Sequence, residues 1–267
     1  MEIIIRPTAA HAARLVARLV VARVHAKPQL VLGCATGRTM DPVYAELVAA
    51  HRAGTVDLSG LTTFNLDEYV GLPPDDPRSY RHYMREQLFE PVGLPPGRTH
   101  LPDAMAVDLA AAAAAYEQRI ASVGGIDLQL LGLGATGHIG FNEPLSSLMS
   151  RTREKALTPQ TRQQNAELFG GDPEAVPKRA VTMGVGTILD AREVVMLVTG
   201  AAKAGVLAAA TEGPITARIS ATALQLHRRC VVVVDEAAAA GLEGTEYYRF
   251  IYAEEPEWAP YRADPAL

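Results

Sequence analysis

Cysteine is nearly missing from this sequence: Cys34 and Cys230 are the only two among 267 residues, they stand far apart, and neither falls in a CxxC or Cys/His ligand spacing. That excludes a disulfide framework and a zinc site, and it fits a reducing, cytoplasmic setting. An excess of positive charge is missing too. A formal net charge of -5 leaves no basic face for a nucleic-acid backbone or an anionic membrane surface, so any phosphate the chain recognises is small and held locally. Long apolar runs are also absent. The most apolar segment, Leu15 to Val24, is interrupted by Arg18 and Arg23 and preceded by Arg14, which makes it neither a spanning helix nor a signal-peptide core. No linker and no repeat of solenoid length divides the chain. What remains, 48% hydrophobic and 21% charged residues, is enough to bury a sizeable core in one domain over residues 1–267.

Short apolar runs recur, several of them running into glycine and then helical periodicity. Strands are predicted at Glu2 to Arg6, Leu30 to Leu32, Leu61 to Asn65, Ile126 to Leu131, Ala180 to Met183, Val194 to Val198 and Cys230 to Val234. Thr8 offers an N-cap to a helix with the apolar stripe Leu15, Leu19 and Ala22, and a second helix is predicted over about 41–53. Asp76-Pro77 reads as a capped helix start before Tyr80, Tyr83, Met84 and Leu88, and Thr158-Pro159 as another. Met105 to Val123 is alanine-dense and helical, with Ala110 to Ala115 read as a close packing face. Strands alternating with helices predict an α/β fold: a single-domain, Rossmann-like open sheet, parallel-dominated, with helices on both faces. The tail from about Glu246 to Leu267 has no clear period.

The chemistry concentrates after the run Ile126 to Leu131, in Gly132-Leu133-Gly134-Ala135-Thr136-Gly137-His138-Ile139-Gly140-Phe141-Asn142-Glu143-Pro144. The carboxyl edge of an open sheet is where α/β proteins keep their ligands. Gly132, Gly134 and Gly137 match the spacing of a dinucleotide fingerprint, but Gly140 and Pro144 stand where that motif needs a helix. The loop instead supplies an imidazole, His138, whose ordinary pKa near 6.5 suits proton transfer, and a carboxylate, Glu143. Asp67 and Glu68 arrive at the same edge from another strand end. A single histidine without HxxE or HxH spacing does not indicate a metal. Two further turns follow strands: Gly33-Cys34-Ala35-Thr36-Gly37-Arg38-Thr39, and Thr199-Gly200-Ala201-Ala202-Lys203. The first is either an anion-binding turn or a plain βα turn using glycine for tightness; it is not a Walker A loop, because its glycine spacing is short and Arg38 stands where lysine would.

Together, Thr36-Gly37-Arg38-Thr39, Thr63-Phe64-Asn65-Leu66-Asp67-Glu68-Tyr69-Val70-Gly71-Leu72 and Gly137-His138-Ile139-Gly140-Phe141-Asn142-Glu143-Pro144 closely resemble the glucosamine-6-phosphate deaminases (isomerases). The likeness extends through Ser146-Ser147, Met183-Gly184-Val185-Gly186-Thr187 and Leu224-Gln225-Leu226-His227 and spans Leu30 to Glu236. It implies conversion of glucosamine 6-phosphate and water into fructose 6-phosphate and ammonia, without metal or redox cofactor. By the same resemblance His138 opens the pyranose with Glu143 holding its tautomer, and Asp67 moves the C2 proton to C1. Thr36, Gly37, Thr39 and Lys203 match the family's phosphate site. Ser146, Ser147, Arg153 and Lys155 match an allosteric site for N-acetylglucosamine 6-phosphate, which hexameric members form between subunits; the implied assembly is a homo-oligomer, up to a hexamer.

Two departures stand out. Thr136 replaces an aspartate that assists ring opening in some members, so ring opening is expected to lean on Glu143. Glu167 replaces a phosphate-binding arginine and would repel a dianion, and Arg38, where those members have a small residue, is expected to supply the missing guanidinium. The alternatives are a 6-phosphogluconolactonase-like hydrolase, a deaminase of another amino sugar, and a sugar-phosphate sensor without catalysis.

Overall fold

The computed structural model describes residues 1–263. β1 (Glu2–Arg6) carries the buried β-branched run Ile3, Ile4 and Ile5 and stops before Pro7, which has no N–H to continue a ladder. Thr8 caps α1 (Ala9–Ala26) by accepting the His11 N–H, and Leu15, Val16, Leu19, Val20 and Val24 form its buried stripe. The chain continues through β2 (Val31–Cys34), α2 (Asp41–Arg52), β3 (Thr62–Asn65), β4 (Asp67–Tyr69), α3 (Tyr80–Met84), β5 (Thr99–His100), α4 (Leu109–Ser122) and β6 (Leu128–Gly132). The second half holds β7 (Arg153–Ala156), α5 (Pro159–Asn165), β8 (Arg179–Thr182), α6 (Val185–Leu189), β9 (Glu193–Val198), α7 (Ala204–Thr211), β10 (Cys230–Asp235), α8 (Glu236–Ala239), α9 (Thr245–Glu254) and α10 (Ala259–Arg262).

Seven strands form one sheet in the order β1-β10-β9-β6-β2-β3-β5, and every pairing in it is parallel. β2, β9 and β10 are buried at every residue, as strands covered on both faces must be. Each fully buried valine or leucine there contributes about 1.5–3 kcal/mol. The layers are visible in two contacts. Tyr44 of α2 lies beside Cys34 on one face and donates its hydroxyl to the Ala35 carbonyl at 2.6 Å, whereas Tyr116 of α4 packs edge-on against Phe64, which alternation sends to the other. The parallel sheet with helices on both faces is therefore as the sequence predicts.

The topology also selects a place for ligands. From β2 the chain turns to β3 on one side, while β6, the neighbour of β2 on the other, lies next to β9 and the strands beyond. The carboxyl ends of β2 and β6 thus flank a switch point, where diverging connections leave a crevice.

Beside this sheet lies a small antiparallel one, β4-β8-β7, in which Thr182 of β8 stands opposite Asp67 on one side and Arg153 on the other. Its two outer strands are not apparent in the sequence. Two other expectations need correcting. α3 is capped by Ser79, whose hydroxyl accepts the His82 N–H, because Asp76 is taken up by the Arg78 N–H and guanidinium. Within Ala110 to Ala115 only Ala113 is buried, so the alanines provide helix propensity and little packing. The tail is ordered to Ala263, with 264–267 lying outside the described residues: Trp258 is buried and donates its Nε1–H to Glu2 at 2.8 Å, while Arg6 stacks on the Tyr252 ring at 4.9 Å from its centroid. The tail therefore holds both ends of β1. Among the described residues no helix is long and apolar enough to cross a membrane.

Candidate active site

β4 separates two adjacent acids by the alternation of its side chains. Glu68 turns to α3, where its carboxylate accepts the backbone N–H groups of Tyr69 (2.9 Å), Tyr80 (3.1 Å) and Arg81 (2.9 Å). It serves as an anionic cap on that helix start. Asp67 points the other way, toward Gly140 in the loop after β6. It is 5% exposed, and burial, reinforced by the Glu68 charge and opposed by the Phe141 amide, pushes its pKa up to about 8.

The loop after β6 brings the imidazole. His138 is buried, and its Nδ1 lies 2.7 Å from Thr136 Oγ1 and 3.9 Å from Glu143 Oε2. The direct partner of the ring is thus the threonine hydroxyl, and Glu143 stands one step behind as the charge. This differs from a ring held by Glu143 alone: a hydroxyl can bond either tautomer, and the carboxylate favours the one with its proton on Nδ1. Burial lowers the His138 pKa, Glu143 opposes that, and Lys203 adds to it. The other face of the ring depends on Gly134, where a Cβ would fall 2.1 Å from Nε2. Gly140 has φ +54°, and a Cβ there would stand 3.0 Å from Thr182 Oγ1 and 3.3 Å from Asp67 Oδ2, so the loop passes directly beside the aspartate.

Three residues fix this loop whose roles the sequence did not reveal. Thr158, the cap of α5, donates its N–H (2.9 Å) and hydroxyl (3.2 Å) to Glu143 Oε1, which leaves Oε2 buried with no hydrogen-bond partner among the described residues and on the His138 side. Asn142, fully buried, donates to the carbonyls of Ile139 and Met183 and accepts from Arg153. Thr182 accepts the Phe141 N–H at 3.1 Å. The capping pair Thr158-Pro159 was the one local signal for any of them.

The turn after β2 lies at the same edge. Tyr83 of α3 donates to Asp41 (2.6 Å) and to the Gly37 carbonyl (3.3 Å), and the Tyr80 hydroxyl meets both Thr36 and Tyr69. Lys203 follows β9, half-buried, with a pKa lowered by burial and no carboxylate partner among the described residues. A half-buried cation without a counter-charge can take up an anion. Arg38 and Glu167, assigned opposite effects on a phosphate from sequence, are joined to each other, Nη1 to Oε2, at 2.7 Å.

Of the residues matched to an effector site, Ser147 is exposed, Arg153 and Lys155 lie half-buried on β7, and Ser146 is buried with a hydroxyl that has no partner among the described residues. Among the described residues, no three His, Cys, Asp or Glu side chains converge as a metal cage.

Residues 6–233 match the family model described as glucosamine-6-phosphate isomerases/6-phosphogluconolactonase. The chain is 50% identical over 258 residues to a glucosamine-6-phosphate deaminase of Streptomyces coelicolor, covering 97% of this chain and 99% of that protein. Its structure superposes on a solved monomeric glucosamine-6-phosphate deaminase with a TM-score of 0.88 and 40% identity, over 90% of this chain and all of the other (100%). A 6-phosphogluconolactonase of Trypanosoma cruzi shares the fold, with a TM-score of 0.74 at 23% identity over 91% of this chain and 97% of the other.

Proposed function

This chain belongs to the family of glucosamine-6-phosphate isomerases and 6-phosphogluconolactonases, and on that footing we propose that it is a deaminase converting glucosamine 6-phosphate and water into fructose 6-phosphate and ammonia. The observation that carries the proposal is the meeting of a buried carboxylate of raised pKa with an imidazole loop: Asp67 beside Gly140, in the loop that holds His138 against Thr136 and Glu143. Proton transfer between carbon atoms needs a base whose pKa lies near the working pH, and Asp67 has one.

In this reading His138 moves a proton between the ring oxygen and the anomeric hydroxyl, opening the sugar. Asp67 takes the proton from C2 and returns it to C1, which leaves a C2 imine; water adds there, and the C–N bond breaks to release ammonia. Lys203, Arg38 and the turn from Thr36 through Gly37 to Thr39 receive the phosphate. A lysine and an arginine with free turn N–H groups are what a dianion requires. Incubation of the protein with glucosamine 6-phosphate is expected to yield ammonia and fructose 6-phosphate in equal amounts. Hydrolysis of 6-phosphogluconolactone with no ammonia from the amino sugar would overturn the assignment.

Ser146, Ser147, Arg153 and Lys155 are assigned to an effector, N-acetylglucosamine 6-phosphate, in a homo-oligomer. What supports a link to the site is the bond from Arg153 to Asn142 at 2.9 Å, one residue before Glu143. Sigmoidal velocity curves that the effector turns hyperbolic are the expected result; hyperbolic curves indifferent to it would remove the effector site.

A further inference from the structure

The ion pair between Arg38 and Glu167 carries a step that rests on the reading just proposed. Both side chains are largely in solvent, 79% and 72% exposed, yet Arg38 Nη1 and Glu167 Oε2 meet at 2.7 Å. Glu167 is presented there by the short helical turn Ala166–Phe169 that prolongs α5. That segment is tied back to the catalytic loop at two points: Thr158 to Glu143, and the Gln164 side chain accepting the Ala135 N–H at 3.0 Å. The turn carrying Arg38 is otherwise unspent, since no hydrogen bond among the described residues uses the N–H groups of Thr36, Gly37, Arg38 or Thr39. An arginine in an open anion-binding turn is thus met by the chain's own carboxylate.

We propose that Glu167 competes with the ligand's phosphate for Arg38: its carboxylate occupies the guanidinium in the unliganded protein, and a phosphate dianion displaces it. The chemistry favours this exchange. An exposed monoanionic pair is weak because water screens it, whereas a phosphate engages the guanidinium fork through two charge-assisted hydrogen bonds and also reaches the free turn N–H groups. A neutral sugar brings nothing to replace the carboxylate and leaves the pair closed. The exchange therefore costs a phosphorylated ligand part of its affinity, because the carboxylate must first be displaced, and leaves that of an unphosphorylated one unchanged.

The test is a double-mutant cycle on KM for glucosamine 6-phosphate, with Kd for inorganic phosphate measured by calorimetry on the same four proteins. Glu167→Gln is expected to lower both about twofold to fivefold, the range an exposed ion pair is worth. Arg38→Ala is expected to raise both at least tenfold. In the Arg38→Ala background the gain from Glu167→Gln is expected to vanish, because no guanidinium remains to be released. A gain of equal size in both backgrounds would make Glu167 only a nearby negative charge, and no gain in either would leave the pair outside ligand binding; each overturns the exchange. Both residues are exposed, so loss of the fold does not confuse the result. If the wild type binds phosphate with this pattern but releases no ammonia, the deaminase reading fails and the exchange stands.

Discussion

Asp67→Asn is expected to lower kcat for ammonia release by about 10²–10⁴-fold, the range a positioned general base contributes, while making the protein more stable. Both effects follow from one buried carboxylate. Its folded-state pKa of about 8 lies above the 3.8 of an ordinary aspartate, so the fold prefers the protonated form. The associated stability is fully present below the unfolded pKa and is lost as pH rises through about 8. Asparagine stays neutral throughout. The melting temperature of the variant is therefore expected to exceed that of the wild type, with a difference that grows from pH 5 and levels off above about 8. The same ionisation makes wild-type kcat/KM rise with pH through this range, because the base acts as carboxylate. A variant that keeps its activity, or melts with a pH-independent offset, would remove Asp67 from the role of base.

His138→Gln is expected to reduce kcat by about 10²-fold, less than Asp67→Asn, because a sugar hemiacetal also opens unaided in water. The wild-type ring is neutral near pH 7, since burial lowers its pKa against the pull of Glu143. Its protonation on the acid side therefore removes the base form, and the acid limb of the wild-type profile contains a contribution that the variant lacks. Rate profiles from pH 5 to 9 on both proteins check this. A loss as large as that of Asp67→Asn, with the wild-type acid limb retained, would place His138 outside ring opening.

Much of the fold was legible because the buried strands advertise themselves. Runs such as Val231 to Val234 and Val194 to Val198 are apolar on both sides, as a doubly covered parallel strand must be. β7 reads Arg-Glu-Lys-Ala and β4 is three residues of acid, acid and tyrosine. Neither carries a pattern, since what holds them is pairing to β8 across a gap of many residues. The candidate site divides in the same way. Asp67, His138 and Glu143 were visible as reactive types at strand ends. The bonds from Thr136 to His138, Thr158 to Glu143 and Arg38 to Glu167 join groups according to how the backbone is folded, and in the last two cases no local spacing encodes them.

The pairing of β1 with β10 has a consequence for synthesis. β1 has one partner in the sheet, and that partner lies at residues 230–235. β1 thus leaves the ribosome long before β10, and Ile3, Ile4 and Ile5 travel without their sheet partner until residues 230–235 have emerged. At about 5–20 residues per second that wait is on the order of ten seconds or more. Through it, the nascent chain presents a β-branched segment with an unpaired backbone, the kind of segment that invites pairing with other chains.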